Sequence, residues 1–109
     1  VGLTEIKVKF FALRRGNCKI VVKNHAYLDH PNRGFSNLEI TNLVKFGLGQ
    51  VKENKYPSAI EGSFLFCPQD DRKEICEIVL LIEELEIETE CNPTKEMIIV
   101  CSAYRKDRT

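Results

Sequence analysis

Four side chains in this sequence have the types to act together on an anion, His25, Arg33, Ser102 and Tyr104, with Asp29 placed to orient the first. A histidine titrates near neutrality and can both take and give a proton. If residues 25 to 30 form a helical turn, Asp29 lies one turn beyond His25 and can orient its imidazole, while His30 points elsewhere. Arg33, in Asn32-Arg33-Gly34, precedes a helix N-terminus, where a guanidinium beside free amides suits a phosphate. Period two along the last strand puts Ser102 and Tyr104 on one face with Ile98 and Val100, and Ile99, Cys101, Ala103 and Arg105 on the other. The two hydroxyls are then neighbours able to donate to one anion. Each group also has a plainer reading: a surface histidine, a solvated loop arginine, the wetter end of a strand.

The elements that must position these groups follow from local pattern. Ser36 and Glu39 have the spacing of a capping box, and Phe35 and Ile40 that of a hydrophobic staple. Ile40, Leu43, Val44 and Gly47 recur at helical spacing, so a helix over 37–46 is expected, ended by Gly47 in a left-handed conformation. Ahead of it, Ile6, Val8 and Phe10 alternate with polar residues, the period of a strand. With a turn at Arg14-Arg15-Gly16-Asn17, that strand and Cys18–Val22 form an N-terminal hairpin. Val51–Asn54, Ser58–Cys67 and Met97–Tyr104 read as further strands. Residues 75–87 carry both a helical stripe and a dense β-branched run, and the strand is the preferred reading. The expected architecture is α+β: the hairpin and helix 37–46 packed on an antiparallel sheet of four to six strands.

At 109 residues the chain fits a single domain over residues 1–109, with no internal repeat or linker. A 43% hydrophobic and 29% charged composition is that of a globular protein, and no apolar run is long enough to span a membrane. Five cysteines without a Cys-x-x-Cys pair favour buried free thiols in a reducing, cytoplasmic setting over zinc or a disulfide framework. No cofactor fingerprint or metal-ligand cluster is present. The formal charge is zero, yet the residues before Tyr56 carry a net +6 and the remainder −6. A basic face for RNA and an interleaved neutral surface are both compatible with that split.

The ordered pieces His25-Ala26, Arg33-Gly34-Phe35-Ser36, Glu39-Ile40, Gly47 and Cys101-Ser102-Ala103-Tyr104-Arg105 resemble small bacterial domains in the barnase–EndoU–colicin–RelE-like group of metal-independent ribonucleases and toxins. The resemblance spans about residues 20 to 105 and implies helical structure on a four-stranded antiparallel sheet. It also implies RNA cleavage by attack of a ribose 2′-hydroxyl on the adjacent phosphorus. His25 would then be the acid or base, Arg33 would stabilise phosphate charge, and Ser102 and Tyr104 would orient or protonate phosphate oxygens, with Asp29 and Arg105 in support. The partners would be RNA and a cognate inhibitor. The competing expectation is a non-catalytic module, immunity- or antitoxin-like or a degenerate member, that binds a protein partner. The Glu83–Glu90 run suits it, since an acidic strand can mimic phosphates toward a basic toxin.

Overall fold

A computed structural model describes residues 2–16, 18–28, 34–86 and 94–105, with only the backbone of residues 84–86, 94 and 95 described. The order is α1 (Leu3–Arg15), β1 (Lys19–Val22), a 3-10 turn (Asn24–Ala26), α2 (Asn37–Phe46), β2 (Gly49–Glu53), β3 (Phe64–Pro68), β4 (Cys76–Glu86) and β5 (Thr94–Arg105). The five strands form one sheet in the order β1-β5-β4-β3-β2. β2 to β5 are an antiparallel run, and β1 joins the edge parallel to β5, pairing Lys19 with Met97 through Val22 with Val100. The α+β class stands, with the helices packed on the sheet.

The expected hairpin is not formed. Residues 5 to 13 lie within α1, and β1 finds its partner in β5 instead. The segment satisfies two periods at once, and the helical one wins because it matches the core. Ile6, Phe10 and Leu13 recur at helical spacing; Phe10 is fully buried, and Ile6 and Leu13 pack beside it. Val8, which the strand would have buried, is 65% exposed. Phe10 meets Phe66 at 4.9 Å and Phe64 at 5.7 Å between ring centroids, and its burial is worth about 1.5–3 kcal/mol.

The helix over 37–46 is formed as expected. Ser36 Oγ accepts from the Glu39 amide at 3.1 Å, and Phe35 and Ile40 are both buried in the core. Gly47 differs from expectation: its φ of −62° is not left-handed. Glycine is required there by space, because a Cβ would run into the Leu43 carbonyl and the Pro68 side chain. The Ser58–Cys67 strand shrinks to Phe64–Pro68. Ile60 is exposed and Gly62 sits at φ +82°, so 54–63 is a loop whose apparent alternation buries nothing.

Inward residues of the sheet, Phe64, Phe66, Ile78, Leu80, Ile98 and Val100, join Phe10, Ile40 and Val44 of the helices in one core. A bulge interrupts β5. Val79 pairs with Ser102 while Leu80 pairs with Val100, leaving Cys101 as an extra residue. The expected faces therefore exchange past Cys101: Ile98, Val100 and Ala103 point to the helices, and Arg105 follows them. Ser102 and Tyr104 remain on one face together, but it is the face away from Val100 and the helices.

Candidate functional site

The densest polar arrangement on the helical side centres on Arg105, at the C-terminal end of β5. Its Nη2 donates to Glu39 Oε1 on α2 at 2.6 Å, and its Nε donates to Asp70 Oδ2 at 3.1 Å. Glu74 lies 3.7 Å from the same Nε, and the Phe35 ring centroid is 4.2 Å from the guanidinium carbon. Glu39 thus completes only half of the capping box, because its carboxylate is committed to Arg105. Burial alone would lower the arginine pKa, but Asp70 and Glu39 more than offset it, so the charge is firmly held.

Asp70 is positioned by its own turn. Its Oδ1 accepts the amides of Arg72 and Glu74, each at 2.9 Å, an aspartate-nucleated turn between β3 and β4. The turn closes with Asp70 N to Glu74 O at 3.0 Å and holds Lys73 at φ +62°. Burial pushes the Asp70 carboxyl up, while the Glu74 amide, the Arg105 guanidinium and the Arg72 amide pull it further down. The outcome lies below its ordinary value.

On the opposite face, the Tyr104 hydroxyl donates to Glu77 Oε2 at 2.8 Å, and the Tyr56 hydroxyl donates to the same oxygen at 2.9 Å. The two rings meet edge to face at 6.4 Å, and Glu77 is 6% exposed. Burial, Tyr56 and the Glu77 carboxylate together hold the Tyr104 phenol well above its ordinary pKa. A phenol so placed keeps its own proton, donates it to a carboxylate in a hydrogen bond, and is a poor acid toward a phosphate oxygen.

His25 is exposed on the 3-10 turn, which is fixed to the sheet by Lys23 N to Val100 O at 3.0 Å and by buried Ala26. Ser102 is half-buried on β5. Asp29 and Arg33 lie outside the described residues, so neither the His25–Asp29 pairing nor the Arg33 grip is described. Of the expected residues, the fold brings Tyr104 and Ser102 to one face and directs Arg105 to the other. Sequence reasoning missed Asp70 and Glu77, and gave Glu39 only its cap. The Asp70-Asp71-Arg72-Lys73 run was the available signal for a turn with a buried aspartate.

Between α2 and the β3–β4 turn lies a groove of about 900 Å³ that ends at Arg105. Leu38, Asn42 and Phe46 line it at successive helical turns, with Leu38 70% and Phe46 69% exposed. Glu39, Asp70 and Asp71 line it together with Arg72 and Arg105, so carboxylates outnumber guanidiniums by one. Three of the described cysteines are poor nucleophiles: burial pushes the Cys76 thiol up to about 11 and raises Cys18 and Cys101 as well. No family model, curated protein or solved structure gives a match to the chain.

Proposed function

We propose that this domain is a non-catalytic interaction module that holds a protein partner in the α2 groove. The occupant is a partner segment with apolar side chains on one face and Lys or Arg beside them. The observation that carries this reading is the pair Leu38 and Phe46, two large side chains left exposed two helical turns apart with Asn42 between them, in a groove whose lining has one more carboxylate than guanidinium. Large apolar side chains left exposed in a groove rimmed by charge suit a protein interface better than a catalytic cleft. Two of the polar groups that phosphate chemistry would use are already engaged: Arg105 is held by Glu39 and Asp70, and Tyr104 by Glu77. An immunity- or antitoxin-like role toward a basic partner belongs to this reading, as does a cytoplasmic setting for the free thiols.

The experiment has two arms. Total RNA in EDTA stays intact with the protein, as with His25→Ala. A synthetic helical peptide bearing Leu at every fourth position and Lys between shifts the NMR signals of Leu38, Asn42 and Phe46. RNA cleavage lost in His25→Ala would restore the ribonuclease reading, and a peptide that shifts none of those signals would overturn the groove.

A further inference from the structure

The loop joining β2 to β3, residues 54–63, is anchored to the rest of the molecule in an uneven way. At its base Asn54 Nδ2 donates to Ser63 Oγ at 3.0 Å, and Ser63 Oγ donates to the Ile60 carbonyl at 2.6 Å. Two turns stiffen it internally, Ala59 N to Tyr56 O and Ser63 N to Ile60 O, each at 3.0 Å. Residues 55 to 62 are all exposed. The Tyr56 hydroxyl reaches from this loop to β4, on Glu77. Pairing Leu65 with Val79 and Phe66 with Ile78 puts Glu77 about four residues, or roughly 13 Å, along the sheet from the loop's base at Ser63. Tyr56 must therefore fold back over the sheet's outer face to reach it.

We infer that residues 54–63 form a strap, hooked shut over the outer face by Tyr56 and released as a unit about Asn54 and Ser63. Glu77 is what the hook conceals. A carboxylate only 6% exposed, with both phenols on one of its oxygens, loses one donor and gains water when the strap lifts. Tyr104 sits in regular strand pairing opposite Glu77 and stays with it, so the two tyrosines are not equivalent: one is a fixed wall, the other a removable cover. This inference rests on the outer face alone and is independent of the α2 groove.

The test compares Tyr56→Phe with Tyr104→Phe, each removing one hydroxyl and keeping its ring. Limited trypsin cleavage after Lys55 is expected to run about tenfold faster in Tyr56→Phe, the factor set by losing one hydrogen bond to a charged group. Backbone order parameters of 55–62 are expected to fall in the same variant while those of β3 to β5 hold. Tyr104→Phe is expected to leave both readouts near wild type. Unchanged cleavage in Tyr56→Phe, or an equal rise in both variants, would overturn the strap.

Discussion

Tyr104 and Arg105 are adjacent in β5 yet serve opposite faces of the sheet. The tyrosine hydroxyl is 2.8 Å from Glu77 on the outer side, and the guanidinium is 2.6 Å from Glu39 of α2 on the helical side. The Cys101 bulge decides which residue goes where, since without it Tyr104 would face α2 and Arg105 would face Glu77.

Arg105 ties the β3–β4 turn, β5 and α2 together, so its loss should loosen all three. Arg105→Ala leaves the nearly buried Asp70 carboxylate without its cation and is expected to cost about 2–3 kcal/mol in urea unfolding. The pH dependence carries the same signature. The Asp70 pKa is depressed in the folded state, so its contribution is present above the unfolded value near pH 4 and is lost as pH falls through the folded value. Asp70→Asn should flatten that acid limb.

At the alkaline end the sign reverses. The folded state holds the Tyr104 phenol protonated above its ordinary pKa, so its contribution is complete below about pH 10 and declines as the unfolded phenol ionises above it. Tyr104→Phe should remove that decline. Thermal midpoints recorded from pH 8 to 11 would reveal it as a shallower slope than in wild type.

The helical assignment of the N-terminal segment is checked by two substitutions on opposite sides of α1. Phe10→Ala empties a fully buried site and is expected to cost about 3–5 kcal/mol. Val8→Asp, at a position 65% exposed, should change stability by less than about 0.5 kcal/mol. A strand with Val8 inward would make both costly.

Helix 37–46 was legible because its signals agree: cap, staple and periodicity name the same start and face. Within residues 75–87, the strand Cys76–Glu86 was readable through its β-branched density. The N-terminal helix was not, since Ile6 and Phe10 fit both periods and only the core, with Phe64 and Phe66 waiting for Phe10, chooses between them. The candidate site was legible in its residue types but not in its geometry. A single extra residue at Cys101 reverses a strand's faces, and no local pattern in Val100-Cys101-Ser102 announces it. Nor could the sequence reveal that Glu39 serves a residue 66 positions away.

The interaction account is tested most directly by placing a photo-crosslinking phenylalanine analogue at position 46 in one protein and at position 25 in another, each irradiated in the source cells. The account predicts a protein adduct at position 46 whose joined peptide carries Lys or Arg among apolar residues, lost when Leu38→Asp is added, and no RNA adduct at position 25. An RNA adduct at position 25 with position 46 silent would contradict it.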